Sequence, residues 1–456
     1  MASITKILTV PAVGAYYYDD LTALQSRPIP PPERYTAEPV TPGFRRVREV
    51  AEAVSVGLVL DTGQVAWGDC VAVEFSGKAG RDPIFRAEKG IASVERTVAP
   101  LLQGRELTSF RALAADVDAL NESVEEVRSP PRPERRNREL SRRELLAAPL
   151  RMLQPEGKDP ERVTVQRRLH TAIRYGLSQA LLQATALARG VTMAEVIATE
   201  WELPTPDTAV PVHAQSGAER FHNADKMIVR RVASLPHALV DNIPEQLGEE
   251  GVELTRYARW LKARIQDLGG ESYRPTIHLD VHGALGQIFE NNLGRVLGQL
   301  YALELAVQPY SLRVESPVIM ESREAQIETM KTLRKYIRIR KMNVQLVADE
   351  WANTLDDIQA FVDAQAAHMI QIKMPDLGSV HNSIEAVLTC KAGGLGAFLG
   401  GSCAETDLSA RVSAHVALAT QPDIILAKPG MGVDEGISLV QNEMARTLAW
   451  IRARGA

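Results

Sequence analysis

The chain is poor in several things, and each shortage excludes something. Its 456 residues include only three cysteines, Cys70, Cys390 and Cys403, an odd number with no CxxC pair. That argues against a disulfide framework and for a reducing, cytoplasmic setting. No run of about 18 apolar residues occurs, so no transmembrane helix is expected. The N-terminal stretch is moderately apolar but soon turns acidic at Asp19 and Asp20, without signal-peptide layout. Basic excess is missing too. Lys and Arg number 52 against 57 Asp and Glu, a formal net charge of −5, which excludes a broad surface for nucleic acid or an anionic membrane. The single basic cluster, Arg132 to Arg143, is interleaved with glutamates and reads as a solvated face. No GxGxxG follows a strand candidate, and the turns GGLGAFLGG and KPGMGVDEG do not match a P-loop.

What is present is ordinary for a globular protein: 45% hydrophobic and 24% charged residues, in a length that suits a large barrel with a smaller companion. The first part, 1–170, reads as α+β. SVGLVLDTGQVAWGDC holds two apolar runs around Asp61-Thr62-Gly63, a hairpin pattern, and FRAEKGIASVERTVAPLL is amphipathic at helical spacing. From about Asn121 to Arg167 the texture turns to Arg, Glu and Pro, as in SPPRPERRNRELSRREL, and reads as an inserted, partly helical surface segment. LHTAIRYGLSQALLQATALARG resumes a helical period and stops at Gly190, a C-cap residue.

After Pro211 short apolar runs alternate with helical stretches. The runs are AVPVHAQSG, LPHALVD, TIHLDV, YSLRVESP, VQLVADE, HMIQIKM, GAFLGGS and DIILAKPG. Eight such units predict an α/β fold, a TIM-type (β/α)₈ barrel over 171–430, in preference to a doubly wound sheet. The closing stretch 431–456 predicts a helix that seals the barrel or reaches back to the N-terminal domain.

Polar residues stand where each run ends, and strand ends form the active face of such a barrel. Asp280, Glu315 and Asp349 end runs three, four and five, spaced one strand–helix repeat apart. Any one of them can be a helix cap or a partner of a surface cation. Three in register predict a site for a hard cation, and Mg²⁺ fits. Gln371 and Lys373 lie two apart on run six and so share a face. Beside a divalent cation Lys373 is expected to lose basicity and serve as a general base. The rivals are a salt bridge to a metal-site carboxylate and a Schiff-base lysine. His237 on run two faces run six across the barrel, and a lone histidine there is structural or catalytic. Gln215, Ser402 and Cys403 can donate hydrogen bonds to a carboxylate or amine; Cys403 has no base in its motif and is not read as a nucleophile.

The strings AQSG, DKMI, LPHAL, HLDV, LVADEW, QIKMPDLG, GAFLGGSCAET and LAKPGMGVDEG resemble the 3-methylaspartate ammonia-lyase family of the enolase superfamily. YYYDD, GDCVAVEFSGKAGRDP and LHTAIRYGLSQALL fit as well, and only about 121–167 falls outside the pattern. The resemblance implies an N-terminal α+β capping domain over a modified TIM barrel, Mg²⁺, K⁺ as a monovalent activator, and a homodimer. It implies Asp280, Glu315 and Asp349 as metal ligands and Lys373 as the base for a (2S,3S) substrate. His237 would stand on the opposite face, and Gln215, Gln371, Ser402 and Cys403 would bind substrate. The implied reaction takes L-threo-3-methylaspartate to mesaconate and ammonia by Mg-assisted proton abstraction at C3, through an enolate. Three residues depart from the pattern: Glu74 stands where glutamine is expected in the capping loop, Ser402 replaces threonine and Ala404 replaces asparagine. They bear on the range of 3-substituted aspartates accepted. The alternatives are another superfamily lyase, racemase or cycloisomerase, a class I aldolase, and a non-catalytic barrel.

Overall fold

The computed structural model describes residues 2–27, 29–77, 80–128 and 161–455. Three strands, β1 (Ile4–Asp19), β2 (Arg48–Leu60) and β3 (Val65–Cys70), form an antiparallel sheet in that order. The expected hairpin joins β2 to β3: Gly63 sits at φ +83°, in the left-handed region, while Leu60 N–H donates to the Gln64 carbonyl at 2.8 Å. The amphipathic stretch after it is helical over Ala87–Leu102, with one π-helical turn at Val94–Val98.

The helix Thr171–Arg189 begins where the barrel was expected to begin, yet it packs on β2 and β3. Glycine makes this possible. A Cβ on Gly68 would lie 2.0 Å from the Gly176 carbonyl oxygen, and one on Gly176 would lie 2.4 Å from the Cys70 nitrogen. Strand and helix backbones therefore touch, as only glycine permits. The Gln179 amide bonds both the N–H and the carbonyl of Asp69. The helix ends at Gly190 in the left-handed conformation, as its sequence predicts.

The charged segment differs from the helical expectation at both ends. β4 (Asn121–Arg128) and β5 (Glu161–Arg168) pair antiparallel from Asn121↔Arg168 to Arg128↔Glu161. Val124 opposite Val165, in runs alternating with polar residues, favours a ribbon over a helix. The Pro- and Arg-rich centre, 129–160, lies outside the described residues.

All eight expected strands form one closed parallel barrel: β6 (Val212–His213), β7 (Ser234–His237), β8 (Thr276–Asp280), β9 (Leu312–Glu315), β10 (Val344–Ala348), β11 (Met369–Ile372), β12 (Gly396–Leu399) and β13 (Ile424–Leu426). Alternation along the strands sends Val347, Met369, Phe398, Ile424 and Leu426 into a separate apolar cluster. Two residues further along β10 and β11, on the same side, come Asp349 and Gln371. The last helix, Val433–Gly455, packs on the helices Asp407–Thr420 and Arg220–Val229. Among the described residues no single helix is long and apolar enough to cross a membrane.

Candidate active site

The C-terminal ends of the strands carry an unusual backbone. His237, Ala238, His282, Ser316 and Trp351 all have positive φ, between +44° and +67°, although none is glycine. Such residues are costly and persist where surrounding structure holds them, typically at functional sites. Two of them, His237 and His282, line a pocket between the strand ends and the loop 73–75. Nine sequence-predicted residues line it: Glu74, Gln215, His237, Asp280, Asp349, Gln371, Lys373, Ser402 and Cys403. Glu315, the tenth, is fully buried.

The carboxylates lie on neighbouring strands. Asp280 and Glu315 are directly paired in register on β8 and β9, and Asp349 follows β10 by one residue. Among the described residues, His237, Asp280 and Glu315 offer ligand atoms within 4.8 Å of one another, and Asp349 is not in that group. One Asp349 oxygen is taken by Lys373, whose Nζ donates to Oδ2 at 2.6 Å; the other, Oδ1, is buried without a partner. Glu350 beside it also keeps Oε1 without a hydrogen bond. Burial, followed by the charges of Asp280 and Asp349, pushes Glu315 well above the usual carboxylate range. Burial also raises Asp349. Asp280 lies below the usual value: burial opposes its anion, but the His237 contact and nearby positive charge outweigh it. Excess buried negative charge with orphaned oxygens and mainly oxygen donors fits a divalent cation such as Mg²⁺.

Lys373 departs from expectation. Burial draws its pKa down, but the charges of Asp349 and Glu350 overcome this and hold it above the ordinary lysine value. The expected fall presumed a cation beside it; the protein groups alone do the reverse. The salt bridge to a metal-site carboxylate is therefore present. Gln371, expected to meet substrate, donates through Nε2 to Glu315.

The cap supplies the rest of the wall. Glu74 N–H donates to Ser402 Oγ at 3.0 Å, and the Ala15 N–H donates to the Ala404 carbonyl at 3.1 Å. Burial, then the charge of Asp19, pushes the Glu74 carboxyl up to about 8. Burial and Glu74 push the Cys403 thiol well above its usual value, which leaves no nucleophilic thiolate. In YYYDD, Tyr18 hydroxyl donates to the Glu52 carbonyl, Asp19 pairs with Arg48, and Asp20 caps the helix Leu21–Ser26.

Sequence reasoning passed over four residues here. Arg81 is 3% exposed and bonds Glu350 at 3.0 Å and Asp376 at 2.8 Å, tying the cap to the loops after β10 and β11. His213 and His278 form a triangle with His237, ring centroids 4.6 to 5.5 Å apart. His278 was findable, since in HLD it shares a strand face with Asp280. Glu350 was masked by its neighbour Asp349.

Comparison with known proteins agrees with this arrangement. The model for the methylaspartate ammonia-lyase C-terminus matches residues 205–453, and that for the N-terminus matches 2–132 and 136–202. The second match runs through almost all of the segment expected to lie outside the pattern. Methylaspartate ammonia-lyase 2 of Carboxydothermus hydrogenoformans is 45% identical over 99% of both chains. The solved methylaspartate ammonia-lyase of Citrobacter amalonaticus, containing (2S,3S)-3-methylaspartic acid, is 41% identical with a TM-score of 0.86, covering 99% of this chain and 100% of that one. The Mg-complex of β-methylaspartase from Clostridium tetanomorphum is 41% identical with a TM-score of 0.84 over the same shares. With full-length identity at this level and both family models matched, the chain belongs to the methylaspartate ammonia-lyase family.

Proposed function

We propose that the protein converts L-threo-3-methylaspartate to mesaconate and ammonia. The observation that carries this is one cavity holding Lys373 beside Asp349, with His237 in contact with Asp280, in a chain of this family. Asp280, Glu315 and Asp349 would hold Mg²⁺, which when bound neutralises a substrate carboxylate and so makes the adjacent carbon more acidic. Lys373 would take the C3 proton at Nζ as the neutral amine. This requires that Asp349, whose charge holds the lysine's proton in the protein alone, commit that charge to the cation; the contact with Asp349 fixes where that nitrogen sits. The electron pair left at C3 is shared with the carboxylate as an enolate and then expels ammonia from C2. His237 addresses the other face, which suits the 3-epimer. Gln215, Gln371, Ser402 and Cys403 orient the substrate by hydrogen bonding, Glu74 lies toward its amino group, and the cap excludes water.

The three departures, Glu74, Ser402 and Ala404, favour a shifted range of 3-substituted aspartates as the variant of this reading. We also propose K⁺ as an activator, a homodimer, and a cytoplasmic setting, the last supported by three unpaired thiols. The dividing line between cap and barrel we place between 202 and 205. The test follows ultraviolet absorbance of the unsaturated product together with ammonia release. Lys373→Ala should lose solvent-deuterium exchange at C3 of the (2S,3S) substrate, while His237→Ala keeps it. The opposite pattern overturns the assignment, and turnover without ammonia release overturns the reaction.

A further inference from the structure

The ion pair Lys428–Glu405 takes no part in the proton chemistry, yet both side chains are completely buried. Lys428 follows β13 by two residues, and Glu405 stands in the loop between β12 and the helix Asp407–Thr420. Lys428 Nζ donates to Glu405 Oε2 at 3.0 Å and to the Gly400 carbonyl at 3.2 Å. The Ser402 N–H donates to the same Oε2 at 2.8 Å. The Tyr175 hydroxyl, from the helix Thr171–Arg189 docked on β2 and β3, donates to Oε1 at 2.7 Å. Gly401 is pressed against the pair: a Cβ there would lie 1.9 Å from Glu405 Oε2 and 2.5 Å from Lys428 Nζ. The same turn supplies pocket wall at Gly401, Ser402 and Cys403, whereas neither Lys428 nor Glu405 lines the pocket.

Stability alone does not account for a pair this deep. Taking two charges out of water costs about as much as their attraction returns, so well-packed apolar residues often hold a fold equally well. What apolar residues cannot do is fix backbone polar groups at defined points. Here the ammonium takes the carbonyl before Gly401 and the carboxylate takes the N–H after it, so the turn is pinned on both sides of that glycine. The carboxylate also accepts from Tyr175, so one side chain joins the cap-side helix, the turn and, through Lys428, the end of β13. The pinned turn carries Cys403 and Ser402, whose hydroxyl accepts from the Glu74 N–H.

We propose that Lys428 and Glu405 are positioning residues that hold the turn 400–403 in the conformation presenting Ser402 and Cys403 to substrate, with Tyr175 extending the same anchor to the cap-side helix. This rests on the reading of Ser402 and Cys403 as substrate-orienting groups given above. Neither side chain of the pair touches substrate; both act through the backbone of the turn, as the supporting shell of a binding site does.

The experiment compares the Mg²⁺-supplemented native protein with two variants. Lys428→Met/Glu405→Leu replaces the pair by apolar side chains, and Tyr175→Phe removes one oxygen from the anchor. Hydrogen–deuterium exchange, read by mass spectrometry on peptides covering 400–405, reports the Ser402 N–H. It should quicken in both variants, while the barrel strands keep native protection. KM for 3-methylaspartate should rise about tenfold in the apolar pair and less in Tyr175→Phe. Turnover at saturation should change far less, and the melting temperature should stay near native. In a Ser402→Ala background the apolar pair should raise KM less than it does alone, because its effect passes through the turn. Unchanged exchange at 400–405 overturns the proposal. So does a native KM in the apolar pair where Ser402→Ala itself raises KM. A joint loss of turnover and thermal stability that adds fully to Ser402→Ala also overturns it and marks packing alone. If the apolar pair does not fold, Tyr175→Phe decides by the same two readings. If Ser402→Ala and Cys403→Ala both leave KM unchanged, the reading of those residues fails, while exchange at 400–405 still decides whether the pair holds the turn.

Discussion

Replacing Glu74 with glutamine tests the electrostatics of the cap most directly. The sequence suggested a carboxylate that would pair with the substrate ammonium, or repel its free carboxylate, at neutral pH. The structure alters the premise, because burial and the charge of Asp19 push this carboxyl up to about 8. At pH 7 it is mostly the neutral acid and resembles the amide it replaces. If the ammonium must meet a charged Glu74, binding at pH 7 first removes a proton from a group one unit above the solution pH, a cost of about 1.4 kcal/mol, or tenfold in affinity. That cost disappears above pH 8. The sign for folding runs the other way. A carboxyl raised in the fold contributes stability fully present below its unfolded pKa and lost as pH rises through about 8. The assay is KM for 3-methylaspartate from pH 6.5 to 9 in native protein and Glu74→Gln, taken as a ratio so that shared ionisations cancel. Native KM should improve by about thirtyfold relative to the variant across this range, while an N-methyl substrate shows a smaller change. A flat ratio would refute the reasoning and place Glu74 away from the ammonium.

Other perturbations should act elsewhere in the same structure. Asp280→Asn, Glu315→Gln and Asp349→Asn should each abolish most Mg²⁺ binding by calorimetry, and retention of full affinity in all three would remove the metal assignment. Arg81→Met leaves Glu350 and Asp376 as buried charges without their partner, and should destabilise by about 3–5 kcal/mol in denaturant unfolding; a loss below 1 kcal/mol would mean the cap is held by other contacts. Glu443, held down to about 2 against burial by its His415 bond and by Arg446 and Arg411, contributes stability that is present above its unfolded pKa and lost as pH falls from there through about 2. Glu443→Gln should therefore cost about 1–3 kcal/mol at pH 7, with the deficit narrowing toward pH 3.5; a pH-independent deficit would point to packing instead.

Much of this was legible in the sequence, for physical reasons. A parallel barrel strand is a short apolar run between helices, and a catalytic group stands where the run stops, so all eight strands and the residues Asp280, Glu315 and Lys373 could be read from pattern alone. What the sequence concealed was pairing. Nothing local says that the Gln371 amide turns to Glu315, or that Lys373 and Asp349 form a contact strong enough to raise the lysine pKa. The ribbon of β4 and β5 was hidden by composition, since Arg- and Glu-rich flanks suggest a solvated helix while Val124 and Val165, 41 residues apart in the chain, meet across the two strands. The helix Thr171–Arg189 was read correctly as a helix but assigned to the wrong side, because only Gly68 and Gly176 together reveal where it docks.

The residues that depart from the family pattern share a location. Glu74 belongs to the cap; Ser402 and Ala404 belong to the barrel loop after β12. The Glu74 N–H bonds the Ser402 hydroxyl, and the Ala404 carbonyl accepts from Ala15 of β1. At Gly14 a Cβ would lie 2.4 Å from that same Ala404 oxygen, so β1 and the loop meet backbone to backbone. All three departures thus lie along one seam. The groups assigned to the proton transfer, Lys373, Asp349, Asp280 and His237, instead stand on or next to barrel strands, tied to one another by side-chain contacts. A change at the seam alters the shape and charge of the pocket wall at Glu74, Ser402 and Cys403 without removing the side-chain contacts at the strand ends. On the function proposed above, the barrel would keep its proton chemistry while the seam resets which aspartate derivative enters, so Glu74, and not Lys373, is the residue to vary in a test of specificity.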